Sequence, residues 1–434
     1  MRFPQQADRW QIASLEWTLA VVIAGLLLVP RASLILLIIL AAVAIFVQRL
    51  GSTNSTQQPP DPITKSAIFI TAALFLSWAL LSTVWSIDAM RSLRQPGLVV
   101  LVLVLCALFL RAVSSANPND FWFLKRGILY GFAIGLAYLV IEELTDRGIM
   151  RAVVNTFSFV APPTPSLVDR AGTTITSILP SALNRHLTVL TLFLWPILLV
   201  LHFFVGHDGR APWGKILYVT ILALTVYVLL ASDHDSSKLA LVTGLITFSL
   251  AWVRPKLARY VVMAGWVAAT LFMVPTVTFL DRTGVKEMTI LPSTGRDRIY
   301  IWTHTVHQFY NSPIIGIGAA GTPVANAKKT TSDKSFKYRL NRHAHNMYLQ
   351  NTFELGLIGA ALLCLFGVAI LHAIGSLTPA ALPFALAQFS TVAALCSVSY
   401  GLWQFWLTAV FSISAIVLYI AMSPHNRPQS NVNA

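Results

Sequence analysis

Long apolar runs, one after another, leave this chain few folds to adopt. Twelve can be marked, at about 15–30, 33–50, 66–84, 97–112, 126–142, 187–205, 214–231, 239–253, 260–280, 347–373, 379–399 and 402–421. An α-helix needs roughly 20 mainly apolar residues to cross a bilayer, and most of these runs come close to that. Within hydrocarbon every backbone N–H and C=O must find a partner inside the protein, so spanning segments are helices or closed barrels, and runs of this length suit helices. Composition agrees, with 56% hydrophobic residues and only 11% charged, against about 25% charged in a soluble domain. The chain is therefore predicted to be an all-α polytopic membrane protein with about 12 transmembrane helices.

The first two runs are joined by Pro30-Arg31-Ala32-Ser33, the turn of a tight hairpin. With a second apolar run following at once and no clear small-x-small cleavage site, the first run reads as an uncleaved anchor. Twelve spans put both termini on one side. Lys and Arg of the short loops fall thirteen to one face and four (Arg31, Arg91, Arg94, Lys238) to the other, which predicts cytoplasmic termini. Two long segments, 143–186 and 281–345, are then external, and the tail 423–434 is a disordered cytoplasmic end. Cys106, Cys364 and Cys396 all lie in apolar runs and read as small core residues, without a disulfide framework or a thiolate metal site.

The external segment 281–345 carries ten basic residues and only three acids after Asp281, a large part of the formal net charge of +14. Charge of that sign suggests anionic lipid, phosphate or a polyanion as partner. Between Pro292 and Tyr310 the pattern predicts a short helix with Arg298 and Trp302 four apart on one face. An arginine there could hold phosphate by two parallel hydrogen bonds, or it could anchor the chain at the lipid headgroups. Asn311-Ser312-Pro313 ends the helix, and Gly316 and Gly318 allow a sharp turn or a close backbone approach. Asn346 is placed to cap the next span, leaving His345 at its water-facing mouth as a candidate general base. His343 lies two residues earlier, in the basic loop that also holds Arg342. Glu354 sits roughly 13–14 Å further along at 1.5 Å per residue, with Gln350 one turn above it. A carboxylate at that depth needs a partner, so Glu354 either orients the site or makes a plain interhelical hydrogen bond. Asp233-His234-Asp235, and His304 with His307, lack the ligand spacing of a metal centre, and no metal is expected.

Three pieces of the chain resemble the O-antigen ligase and polymerase superfamily of bacterial cell-envelope glycosyltransferases. They are R-x-x-x-W at Arg298–Trp302, P-x-x-G-x-G at Pro313–Gly318, and H-N-x-x-L-Q-x-x-x-E-x-G-x-x-G from His345 to Gly359. Asn184-Arg185 ahead of a span is similar to a family position for an external arginine. The stretch Ser236–Leu241 is similar to a family S-R-x-x-x-L element but has Lys238 where arginine is usual.

The resemblance implies a GT-C-like helical membrane fold in the bacterial inner membrane, with its site open to the periplasm and no cofactor. It implies an undecaprenyl-pyrophosphate-linked glycan donor, a lipid A–core acceptor and membrane lipids as partners, with no nucleic acid. In that setting His345 would take the acceptor proton and Arg298 would stabilise the departing pyrophosphate. Arg185, Lys238, Arg296, Arg342 and His343 would line the substrates, and Asn346, Gln350, Glu354, Trp302, Gly316 and Gly318 would support them. An O-antigen polymerase, a protein oligosaccharyltransferase and a membrane transporter are the alternatives. The transporter predicts paired, broken spans with charges near the midplane, and the sequence shows no such pairing.

Overall fold

A computed structural model of the chain describes residues 6–51, 66–114, 116, 118–157, 165–205, 212–288, 293–330 and 343–423. Arg342 and residues 424–434 of the tail lie outside the described residues. The helices are α1 (Gln6–Leu28), α2 (Ser33–Gly51), α3 (Ala67–Leu81), α4 (Ala89–Ser114), α5 (Asp120–Leu144), α6 (Gly148–Thr156), α7 (Asn184–Val205), α8 (Pro212–Ala231) and α9 (Asp235–Val253). They continue with α10 (Pro255–Leu271), α11 (Met273–Arg282), α12 (Ser293–Phe309), α13 (Thr322–Thr330), α14 (Met347–Ile374), α15 (Leu382–Val398) and α16 (Phe405–Met422). Two strands, β1 (Val168–Ala171) and β2 (Thr174–Ile178), pair antiparallel between α6 and α7.

Ten helices among the described residues are long and apolar enough to cross a membrane. The chain is an all-α, multi-pass membrane protein. Two of the predicted spans are not among these ten. α15 is only 17 residues long. The run at 260–280 is split into α10 and α11, which are bent by 70° and make an eleventh span only if counted as one broken helix. Pro275 accounts for the split. It has no N–H to offer the Leu271 carbonyl and its ring crowds that oxygen, so α10 stops at Leu271 and a new helix starts beyond Phe272.

The helices form two compact units. The first comprises Met1–Gln58, Val102–Leu241 and Trp406–Ala434. Within it α7 is apolar on every side and buried from Leu187 to Leu201, as a central helix should be. α1 lies so close along α5 that a Cβ on Gly127, Gly131 or Gly135 would strike Glu16, Ala20 or Leu27, the small-residue spacing that lets membrane helices approach. Arg126 closes this pair with two bonds to Glu16, at 2.5 and 2.8 Å. A two-stranded β-hairpin is a small addition to this helical fold. Thr174–Ile178 (Thr-Ile-Thr-Ser-Ile) is rich in β-branched residues, and Gly172 turns with φ +62°. Asn155 of α6 both donates to and accepts from the Ile175 backbone at 2.9 Å, so the segment 143–186 carries a small structured cap.

The second unit comprises Pro59–Leu101 and Val242–Phe405. It is built around α14, which packs against α3, α10, α12 and α15. Trp266 of α10 donates to the Cys364 carbonyl at 3.1 Å over Gly367, and Tyr348 donates to the Ala393 carbonyl of α15 at 3.0 Å. The apolar face of α12 (Val306, Phe309) meets Val274 and Val277 of α11 and Leu349 and Phe353 of α14. That contact carries the predicted arginine helix to the mouth of α14.

Candidate active site

The predicted helix between Pro292 and Tyr310 is α12, and Arg298 and Trp302 share its face one turn apart. Trp302 donates its indole N–H to the Ala344 carbonyl at 3.0 Å, tying α12 to the turn His343-Ala344-His345. Arg296 lies about 200° round the helix from Arg298, on a different face.

His345 sits at φ +52°, a left-handed conformation uncommon outside glycine and costing of order 1–3 kcal/mol. Its neighbours hold it there. Its backbone N–H donates to His343 Nδ1 at 3.2 Å, and Asn346 at once caps α14 by accepting from Leu349 N at 2.9 Å. The ring Nδ1 of His345 lies 3.0 Å from the Ser399 carbonyl. A carbonyl only accepts, so the proton is on Nδ1 and Nε2 carries the basic lone pair. His343 is in the opposite tautomer, because its Nδ1 is used as an acceptor. The two rings are 4.2 Å apart between centroids.

Burial is the main cause that lowers the His345 pKa, the Ser399 bond opposes it, and the Arg298 charge adds to the lowering. His343 is pushed down to about 3, by burial first and by His345 second. Both imidazoles are therefore neutral at neutral pH. A neutral ring fixed by a bond to one nitrogen, with a guanidinium acting on it, can accept a proton from a hydroxyl while a cation steadies an anion nearby.

Below this turn, α14 is broken. Gly356 has φ +68°, and a Cβ there would run into the Ile314 carbonyl. The break exposes backbone groups, and the Pro313–Gly321 loop supplies partners for them. Gly318 N donates to Glu354 O at 2.9 Å, Leu357 N to Pro313 O at 2.9 Å and Ile358 N to Ile314 O at 3.4 Å. Trp78 of α3 takes the Leu355 carbonyl at 3.0 Å. Gly316 and Gly318 have φ +70° and +96° and bring backbone against Glu354 and Ser86 where no side chain would fit. The close approach predicted for these glycines is thus to the broken helix and to Ser86 in the passage before α4. Ser82 accepts from Ala319 N at 2.9 Å, and Ser92 donates to Ala319 O at 2.5 Å, closing the loop from the other side.

The Glu354 side chain is fully buried and is surrounded by donors. Its Oε2 accepts from Ala320 N at 2.9 Å and from the Trp403 indole. Its Oε1 accepts from Thr322 N at 3.1 Å, Thr322 Oγ1 at 2.5 Å and Gln350 Nε2 at 2.9 Å. Five donors stabilise a buried carboxylate without a cation. Glu354 is the anchor of the glycine loop, which makes it more than a bond between two helices.

Ser399, Gly401 and Trp403, in the passage between α15 and α16, were not singled out from sequence. Neither were Trp78 or the serines between α3 and α4. The available signals were Gly356, inside the E-x-G of the motif, and the polar S-T-V-W-S stretch at Ser82–Ser86. Of the other predicted residues, Arg185 and Lys238 belong to the first unit. Arg185 opens α7 with its guanidinium 6.0 Å from the Trp406 ring centroid, and Lys238 in the first turn of α9 is 3.8 Å from Asp235. His234 turns its Nδ1 to Ser237 Oγ at 2.7 Å.

With this geometry in place, residues 220–364 match the O-antigen ligase family. Curated relatives support the match over most of the chain. A protein of Rickettsia typhi is 24% identical over 353 residues, covering 77% of this chain and 76% of its own length. One from Rickettsia bellii is 24% identical over 363 residues, covering 82% and 80%. Both are provisionally named polysaccharide ligases. The matched stretch includes Lys238, all of α12, the glycine loop, His345 and Glu354. Arg185 precedes it, and Ser399 and Trp403 follow it.

Proposed function

We propose that this protein is an O-antigen ligase. It moves a glycan from an undecaprenyl-pyrophosphate carrier to a sugar hydroxyl of lipid A–core at the periplasmic face of the bacterial inner membrane. The observation that carries the reading is the fixed tautomer of His345 on the turn that Trp302 ties to the Arg298 helix. The acceptor oxygen attacks the anomeric carbon of the donor as its proton passes to His345 Nε2. The bond from that carbon to the pyrophosphate oxygen breaks, and undecaprenyl pyrophosphate leaves with the electron pair. A single direct displacement inverts the anomeric configuration.

Arg298 stabilises the charge that grows on the leaving oxygen, the task a divalent ion performs in many glycosyltransferases. Arg185, Lys238, Arg296, Arg342 and His343 are the further candidates for binding the two lipid-linked substrates. The ligase name of the curated relatives favours ligation over polymerisation. A lipopolysaccharide gel of a deletion strain tests the choice. Core lacking all O-antigen is the expected result. Core carrying one repeat unit would make the protein a polymerase, and an unchanged ladder would remove it from this chemistry.

A further inference from the structure

The passage between α15 and α16 touches the candidate site twice, at its two ends. At one end the Ser399 carbonyl accepts the Nδ1 proton of His345 at 3.0 Å. At the other, the Trp403 indole N–H is bound by Glu354 Oε2, the carboxylate that also holds Ala320 and Thr322 of the glycine loop. Between them Gly401 is pressed so close to the Gln350 amide and to His343 that a Cβ would collide with both. The Trp403 ring is itself buried and lies parallel to Phe75 of α3, with centroids 6.5 Å apart and planes 8° apart. All of these groups belong to the second unit.

A backbone carbonyl cannot be steered by its own side chain. Ser399 closes α15 with φ −128° and ψ −52°, outside helical geometry, so the direction of its carbonyl depends on where the following residues are fastened. Among the described residues, Trp403 is the side chain of this passage bonded to Glu354. We propose that Trp403 is the positioning residue of the His345 base. Its bond to Glu354 fastens the Ser399–Trp403 passage and so holds the Ser399 carbonyl against His345 Nδ1. This inference rests on the reading of His345 as general base. It assigns to Trp403 and a main-chain carbonyl the work that a carboxylate does behind the histidine of a hydrolase triad.

Besides this carbonyl, the Arg298 charge from α12 acts on His345, and the neutral His343 ring packs beside it. Neither is bonded to Trp403, so removing the indole N–H isolates the carbonyl's contribution. Trp403→Phe keeps the stack on Phe75 and deletes the donor. Purified protein, with a lipid-linked glycan donor and lipid A–core as probes, should show kcat reduced about 10- to 100-fold with KM for the acceptor nearly unchanged, the scale expected for a misaligned catalytic group. The Ser399 bond raises the His345 pKa, so its loss should also move the acid limb of the pH profile to lower pH. In a His345→Ala background the same substitution should cost nothing further.

A normal kcat and pH profile for Trp403→Phe would overturn the proposal. An equal fold loss with and without His345 would do the same, since Trp403 would then act only on the fold. Full activity of His345→Ala alone would instead remove the base reading, and the proposal with it. Should Trp403→Phe fail to accumulate in the membrane, Trp403→Tyr, which keeps an aromatic ring but moves its donor away from the indole position, carries the same expectation through the same double-mutant cycle.

Discussion

His345 gives its Nδ1 proton to the Ser399 carbonyl across 3.0 Å, although the two residues are 54 apart in the chain. That bond decides which ring nitrogen is basic, and it separates His345 from His343 only two positions away. If His345 removes the acceptor proton, His345→Ala should lower transfer by about 10²–10⁴-fold, the usual scale for loss of a general base. Among the described residues the hydrogen bond of the His343 ring is as acceptor of the His345 backbone N–H, so His343→Ala should lose much less. Transfer by each mutant at matched membrane level checks this, and a dead His343→Ala beside a normal His345→Ala would reverse the assignment.

Arg298→Lys should be severely impaired although the charge is kept. A guanidinium can hold pyrophosphate through two parallel hydrogen bonds, whereas an ammonium acts as a single point of charge. Steady-state kinetics on the purified protein should show the loss in kcat as well as in donor KM. Normal kcat for the lysine variant would mean that Arg298 does not face the leaving group.

The pH profile has a definite sign. His345 works as a base only when neutral, and burial and Arg298 together hold its pKa below the ordinary histidine value of about 6.5. Transfer should therefore persist below pH 6.5 and fall only as the pH drops through the lowered pKa. His343 adds a stability effect in the same direction. Its pKa is about 3 in the folded protein, so between that value and about 6.5 the unfolded chain binds a proton that the folded chain refuses. Its stabilising effect is complete above about pH 6.5 and is lost as the pH falls toward 3. Melting in detergent micelles at several pH values, for wild type and His343→Gln, would show whether the acid-side decline shrinks in the variant.

Gly356→Ala should be among the most damaging single substitutions outside the catalytic groups. The residue has φ +68° and no room for a Cβ beside the Ile314 carbonyl, so strain and overlap combine, at a cost of about 2–4 kcal/mol. Gly265, in the middle of α10 with nothing within 4 Å of its Cβ direction, should accept alanine with little change or a small gain. Thermal stability of the two variants in one detergent makes the comparison, and equal tolerance would argue against the broken form of α14.

The proposed orientation can be read with single cysteines. The native Cys106, Cys364 and Cys396 are all buried, so they should give little background with an impermeant thiol reagent. Cysteine at the exposed Asp169 should react from the periplasm, and cysteine at the exposed Asn119 only after the inner membrane is opened. The reverse pattern would turn the protein over and place the His345 turn in the cytoplasm.

Sequence alone determined what depends on neighbours a few residues apart. Apolar runs of membrane length, the helix between Pro292 and Tyr310, the pairing of Arg298 with Trp302 on one face, and the cap at Asn346 all follow from periodicity and capping within one or two turns. The break at Pro275 was also legible in principle, because proline acts on the residue four positions before it. Tertiary structure decided the rest. Glu354 could be read as a buried carboxylate needing a partner, but its donors come from positions 320, 322, 350 and 403, brought together by packing. The tautomer of His345 rests on a main-chain carbonyl, and every residue carries one of those, so composition and spacing leave no trace of it. The glycine loop likewise showed its freedom in sequence, while its partner, the broken turn of α14 at Gly356, appeared only when the chain folded back on itself.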